Sequence, residues 1–163
     1  WTMACPAWFL AEKGTYSAER FLADLAVSAF YADVCYWYED GKHFDKDDEF
    51  SLVTVNLYIE YQKPGDRIVV YVESEKRVMQ NTFEPEQPVR GLVPGVEYCR
   101  FGRIGNIQGS ERLLYNLVYE YLKRRPEHRF WVEGTGRAIG WEDMQRVRER
   151  PYVPDWWKEA TGE

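Results

Sequence analysis

The stretch from Phe50 to Glu73 constrains the fold of this chain more than any other. It reads FSLVTVNLYIEYQKPGDRIVVYVE, in which two runs of β-favouring residues flank a Pro64-Gly65 turn. Apolar residues alternate along both runs, which places them on one face of each strand: Val53, Val55, Leu57, Ile59 and Tyr61 in the first run, and Ile68, Val70 and Val72 in the second. The pattern predicts an antiparallel hairpin at the centre of a sheet.

Apolar residues at helical spacing occur on both sides of this hairpin. Ser17 is a suitable N-cap for a helix that ends near residue 31, and Ser110 is one for a helix that Pro126 ends. A third helix is predicted from Trp141 to Arg150, followed by a tail whose tryptophans pack back onto the domain. In the first helix we expect one buried stripe, made of Phe21, Leu22, Leu25, Ala26, Ala29 and Phe30.

Shorter β-favouring runs lie before and after the hairpin. The predicted strands are a short edge strand in 7–10, a strand in 34–38, one in 96–104 with Val96, Tyr98, Arg100 and Gly102 on one face, and one in 129–133. Asp40-Gly41 predicts a tight turn from which residues 42–44 return. Strands and helices do not alternate as a parallel sheet requires. We therefore predict one α+β domain over residues 1–163, with an antiparallel sheet of four or more strands and helices packed on one face.

Composition and cysteine count exclude several classes of protein. The chain has 163 residues, enough for one ordinary domain. It contains no run of eighteen apolar residues, so no membrane span is predicted. Cys5, Cys35 and Cys99 have neither the even number of a disulfide framework nor the spacing of a zinc site. We expect three reduced, mostly buried thiols in a cytoplasmic protein.

No motif predicts catalysis, a cofactor or a metal site. The chain lacks GxSxG, and none of its cysteines lies in a Cys/His context that activates a nucleophile. His43 stands near Asp45, Asp47 and Asp48, but this stretch lacks the alternating ligands of a calcium loop, so a solvated acidic loop is favoured over a metal site. His128 follows a helix–strand junction and is expected at the surface.

The net charge of −6 is unevenly distributed. Residues 1–99 carry 9 basic and 17 acidic side chains, while residues 100–150 carry 11 basic and 7 acidic ones. The sequence pI of 5.1 argues against a nucleic-acid partner, because phosphate binding needs a basic surface. Six acids fall within residues 39–49, beside four aromatic residues. Aromatic anchors with an acidic rim fit a basic protein partner, since charges steer the encounter and aromatic side chains supply binding energy.

These residues define a predicted partner-binding segment, 36–49. Its members are Tyr36, Trp37, Tyr38, Glu39, Asp40, Phe44, Asp45, Asp47, Asp48 and Glu49. A loop that serves only solubility is the alternative interpretation. A second long connection, residues 75–95, contains three prolines and two glycines and has poor periodicity. A connection of that length in a compact domain is often a binding loop.

The C-terminal third resembles small bacterial immunity proteins of polymorphic toxin systems. The residues that carry the resemblance are YEYLKRRP at 119–126, HRFWVEG at 128–134 and the helix around Trp141, and the likeness covers roughly residues 110–157. Many of these proteins end with a helix, a proline-started strand, a short acidic helix and a Trp-bearing tail. The resemblance implies a small acidic α+β protein without catalytic residues, which neutralises a cognate toxin, often a basic nuclease, by binding it.

Two other classes of function stay open at this point. One is a small-ligand-binding protein or enzyme with a pocket between the sheet and the first helix. The other is an adaptor or structural protein of a phage or secretion apparatus. A deep pocket with convergent polar groups favours the first class, whereas exposed aromatic side chains on a flat or convex surface favour a binding or adaptor role.

Overall fold

The computed structural model describes residues 5–38, 43–44, 50–60 and 66–161. The order of elements in this part of the chain alternates between short strand groups and helices. The elements are β1 (Ala7–Glu12), α1 (Ala18–Tyr31), β2 (Cys35–Tyr38), β3 (His43–Phe44), β4 (Phe50–Tyr58), β5 (Arg67–Glu73), α2 (Glu75–Val78), β6 (Tyr98–Gly105), α3 (Glu111–Arg124), β7 (Arg129–Val132), α4 (Trp141–Arg148) and α5 (Trp156–Thr161). None of the helices among the described residues is long and apolar enough to cross a membrane.

The seven described strands form one antiparallel sheet. Its order is β2-β4-β5-β6-β1-β7, and β3 also pairs with β4. The predicted hairpin is confirmed, because Val53, Val55 and Leu57 of β4 lie opposite Val72, Val70 and Ile68 of β5, all of them buried. Ile59 lies beyond the end of β4 and is exposed, and the turn residues 61–65 lie outside the described residues. The α+β prediction, with an antiparallel sheet of four or more strands, is also confirmed.

Two predicted strand positions are wrong. The strand at residues 7–10 is not at an edge, because β1 lies between β6 and β7. Its apolar residues are buried on both faces, as expected of an interior strand. Residues 43–44 do not return along β2 either: β2 and β3 both run antiparallel to β4, so they are two successive parts of one sheet edge.

The helices α1 and α3 pack on one face of the sheet, as predicted. Their core contact is aromatic: the ring centroid of Phe9 lies 4.2 Å from that of Tyr121 and 5.7 Å from that of Phe21. At the end of α3, Arg125 Nε donates to Asp24 Oδ2 of α1 over 2.6 Å. The N-cap stabilises the start of α1. The tertiary contacts then determine where each helix lies on the sheet.

The buried stripe of α1 differs from the predicted one: Leu22 and Ala26 are only half-buried, and Phe30 lies outside the stripe. Phe30 is 76% exposed, whereas Ser28 is fully buried in its place. Buried positions recur at Ala18, Phe21, Leu25 and Ala29, and Phe30 lies about 100° around the helix from the last of these. The helix therefore presents an aromatic side chain to solvent at its C-terminal end.

The opposite face of the sheet is covered at its β6-β1-β7 end by irregular chain. Leu10, Tyr98, Trp131 and Ala138 form a second, smaller buried cluster there. Phe83, Val89, Leu92 and Val96 of the long connection pack against it. The long connection, residues 75–95, therefore packs as a layer over this end of the sheet, and it leaves room beneath part of its length.

Candidate functional site

The predicted partner-binding segment begins on β2, which pairs with β4 alone among the described strands. Just beyond β4, Ile59 N–H donates to Asp66 O over 3.2 Å, and within β4 Ser51 O accepts from Ser74 N–H over 2.9 Å. Odd-numbered residues of β4 therefore direct their backbone groups towards β5, and even-numbered ones towards β2. Trp37 lies opposite Asn56, so the backbone groups of Trp37 point towards β4. Those of its neighbours Tyr36 and Tyr38 therefore point away from the sheet.

The three aromatic side chains of β2 have different surroundings. Tyr36 is half-buried against the main core, and its hydroxyl donates to the carbonyl oxygen of Leu22 over 3.3 Å. Burial raises the pKa of the Tyr36 phenol. Trp37 is 55% exposed and Tyr38 is 46% exposed. Trp37 and Tyr38 are therefore the two aromatic residues of β2 that a partner can reach without disturbing the core.

The remaining residues of the predicted segment are described only in part. Phe44 lies in β3, where its backbone pairs with Phe50 of β4. Glu39, Asp40, Asp45, Asp47, Asp48 and Glu49 lie outside the described residues. In sequence, residues 39–42 join β2 to β3 and residues 45–49 join β3 to β4. Both acidic runs therefore connect strands of one sheet edge, formed by β2 and β3 along β4. We call it the β2–β3 edge.

An exposed aromatic pair close to β2 in sequence is not expected from the sequence pattern. Phe30 and Tyr31, at the end of α1, are 76% and 62% exposed, and their ring centroids lie 5.2 Å apart. The guanidinium of Arg124 lies 4.5 Å from the centre of the Tyr31 ring. Three residues separate Tyr31 from β2, so the pair belongs to the same end of the sheet. A helical wheel drawn from the buried positions of α1 would have placed Phe30 outside the stripe.

Between the sheet and α1 there is a small polar cavity. Its volume is about 60 Å³, and its lining includes Tyr16, Asp24, Tyr121, Arg125 and His128. A space of this size holds a few water molecules, whereas ordinary ligand pockets measure several hundred cubic ångströms. The cavity is therefore too small for the substrate of an enzyme, although it gathers several titratable groups.

His128 was predicted at the surface, but it is half-buried, with 15% of its side chain exposed. Its Nδ1 shares a 2.9 Å hydrogen bond with the hydroxyl of Tyr121, and its ring makes an edge contact with Phe101. Burial lowers the pKa of His128 to about 4 and raises the pKa of Tyr121. At neutral pH the imidazole is therefore uncharged and serves as a core contact.

The buried imidazole predicts an acid-sensitive fold. The pKa of His128 is about 4 in the folded chain and about 6.5 when unfolded, so the unfolded state takes up a proton first as the pH falls. Folding stability from this group is complete above pH 6.5 and is lost towards pH 4, by about 3 kcal/mol. Urea unfolding at pH 7 and pH 4 measures it. His128→Gln should lose less stability over this interval than the wild type. Equal losses in the two proteins would contradict the assignment.

The thiols and the metal-binding side chains offer no further site. Cys99 is buried, but Cys5 and Cys35 are exposed, so the prediction of mostly buried thiols is wrong for two of three. Cys35 lies on the edge strand β2, and its side chain is exposed. Within the described ranges, no group of three His, Cys, Asp or Glu residues is placed to hold a metal ion.

No protein-family model, curated protein or solved structure matches this chain. The resemblance to immunity proteins therefore depends on the residues quoted for it, at 119–134 and around Trp141. The surfaces that the fold exposes are therefore the basis for inferring the function. Among these, the β2–β3 edge joins exposed aromatic side chains to the acidic segment.

Proposed function

We propose that this chain is a binding protein whose β2–β3 edge takes a basic protein partner, and that this partner is a cognate toxin domain which the chain neutralises. The observation that carries the proposal is the edge position of β2. Trp37 and Tyr38 are exposed there, at the start of a segment with six acids in eleven residues. The toxin class comes from the resemblance to immunity proteins and is the more specific part of the proposal.

The two kinds of side chain have different roles in this binding. Burying Trp37 or Tyr38 in a partner supplies about 2 kcal/mol each, the scale of aromatic hot spots. The acids attract a basic surface over a Debye length of about 8 Å at physiological ionic strength, and so act mainly on the association rate. The outward backbone groups of Tyr36 and Tyr38 add hydrogen-bonding capacity at the same edge.

Charge also selects among possible occupants of the edge. A second copy of this chain would bring a second set of six acids against the first, and like charges in close contact oppose association. A basic partner has no such penalty. The alternative of an enzyme or ligand-binding protein with its pocket between the sheet and α1 has less support, because that cavity has room for water alone.

The proposal predicts how charge reversal changes binding to the product of the neighbouring gene. Replacing Asp45, Asp47 and Asp48 with lysine should slow association about tenfold at low salt, and less at high salt, because screening weakens the attraction. Stopped-flow mixing at several salt concentrations measures this. By contrast, Trp37→Ala should raise the dissociation rate about 30-fold, the equivalent of about 2 kcal/mol.

A matched control separates local steering from total charge. Glu97, Glu127 and Glu142 are exposed acids outside the β2–β3 edge, and changing all three to lysine alters the net charge by the same amount. This variant should associate at nearly the wild-type rate. If it slows as much as the first triple variant, or if neither slows, the β2–β3 edge is not the recognition surface and the acidic segment serves solubility.

A further inference from the structure

A cleft of about 470 Å³ lies on the face of the sheet opposite α1 and α3. One wall is the middle of the long connection, residues 82–89, and the other is the turn that follows β7. Trp131 of β7 and Arg100 of β6 lie between the walls.

Hydrogen bonds hold both walls in place. Phe83 N–H donates to Tyr98 O over 2.7 Å, and Arg90 N–H donates to Gly136 O over 2.9 Å. On the other wall, Trp131 Nε1 donates to Thr135 O over 2.9 Å. The wall made by residues 83–90 is thus tied down at its two ends and stands away from the sheet between them. The cleft is preformed, and its volume falls within the range of small-molecule sites.

The charge of the cleft is unbalanced. Its lining contains three carboxylates, those of Glu84, Glu86 and Glu133, and one cation, Arg100. The guanidinium of Arg100 lies 4.6 Å from the centre of the Trp8 ring, which holds it against the sheet. Within the described part of the chain, none of the three carboxylates forms an ion pair. These three carboxylates are therefore available to a positively charged ligand.

The cleft also has an apolar part. The rings of Phe83 and Trp131 make an edge contact, with their centroids 4.9 Å apart, and Pro85 and Val89 line the same wall. A bare metal ion would leave the apolar part of the lining uncovered, and an anion would meet three carboxylates. A ligand with a positive end and an apolar stem satisfies both parts of the lining.

We propose that this cleft binds an organic cation, namely an ammonium or guanidinium group on a short apolar stem. The charged group is held by Glu133 with Glu84 or Glu86, and the stem lies against Phe83 and Val89. This site is separate from the β2–β3 edge, because β2 and β7 are at opposite ends of the sheet. The inference does not depend on the proposed function.

The test is a titration of the full-length, ¹⁵N-labelled chain with butylguanidinium, followed by NMR. The indole N–H of Trp131 and the amides of Gly134 and Gly136 should shift and saturate, with a dissociation constant on the order of 1 mM for so small a ligand. Butylurea has the same shape without the charge, and butyrate has the opposite charge. Neither should shift these signals. Saturable binding of either one, or no shift with butylguanidinium, would overturn the proposal.

Charge-neutralising variants locate the site. Glu84→Gln and Glu133→Gln should each weaken butylguanidinium binding about threefold, the scale of one solvent-exposed ion pair. Glu142→Gln removes the same charge from α4, outside the cleft, and should leave the affinity unchanged. If Glu142→Gln weakens binding as much as the cleft variants, the attraction belongs to the whole acidic molecule and the site does not exist.

A second ligand distinguishes the two sources of such a cation. The peptide acetyl-Gly-Arg-Gly-amide carries the guanidinium on a protein backbone, as an arginine of a partner would. Binding of the peptide as tightly as butylguanidinium assigns the cleft to a basic side chain of another protein. Binding at least tenfold weaker assigns it to a free small molecule, because the narrow space between the walls then excludes the backbone.

Discussion

Replacing Trp156 with alanine should lower the free energy of unfolding by about 4 kcal/mol, the usual range for removing a buried tryptophan. Trp156 is fully buried although it lies near the end of the chain. Its ring stacks on Phe130 with centroids 5.8 Å apart, and its Nε1 donates to Glu111 O over 3.0 Å. The alanine variant leaves a cavity under α3 and removes the contact that ties α5 to the core.

The neighbouring tryptophan provides the matched control. Trp157 is half-buried and packs at the margin of the same core, so Trp157→Ala should cost about 1 kcal/mol. Urea unfolding followed by circular dichroism gives both values from one pair of variants. If the two substitutions cost the same, α5 is an appendage and Trp156 does not complete the core. A Trp156→Phe variant, which keeps the ring contact and loses the hydrogen bond, should lie between them.

Much of the fold is readable from the sequence because its elements are marked locally. The Ser17 cap, the Pro126 stop and the alternation of β4 and β5 each act over a few residues, and each predicted an element that the structure contains. The tail prediction is also confirmed, since Trp156 is buried. What could not be read locally was strand order. Nothing within residues 7–12 shows that β6 and β7, both distant in sequence, lie on either side of β1.

The candidate site shows the same limit. Alternation establishes that Trp37 points to the opposite face from Tyr36 and Tyr38, but it does not establish which face is covered. The answer depends on α1, whose Leu22 carbonyl accepts from the Tyr36 hydroxyl. The organic-cation cleft is even less accessible to sequence reasoning. Its walls come from residues 82–89 and 131–136, and neither stretch has a motif that indicates the other.

Gly102→Ala should lower the free energy of unfolding by about 3 kcal/mol, from two additive causes. The sequence pattern placed Gly102 on one face with Arg100, but the register between β1 and β6 shifts here, and the glycine faces α1. Its φ of +62° is strained for alanine by about 1 kcal/mol. A Cβ would also lie 2.5 Å from Phe21 Cζ, and overpacking of this kind costs about 2 kcal/mol.

Two other glycines separate these causes. Gly95 has a φ of +80° and nothing within 4 Å of a Cβ, so Gly95→Ala should show the backbone strain alone, about 1 kcal/mol. Gly105, in the same strand β6, has neither the positive φ nor a close neighbour, and its alanine variant should stay within about 0.5 kcal/mol of the wild type. Chemical denaturation of the three variants gives the comparison. If Gly102→Ala costs no more than Gly95→Ala, Phe21 yields to the added methyl group. In that case the close approach of α1 to β6 does not require a glycine at position 102.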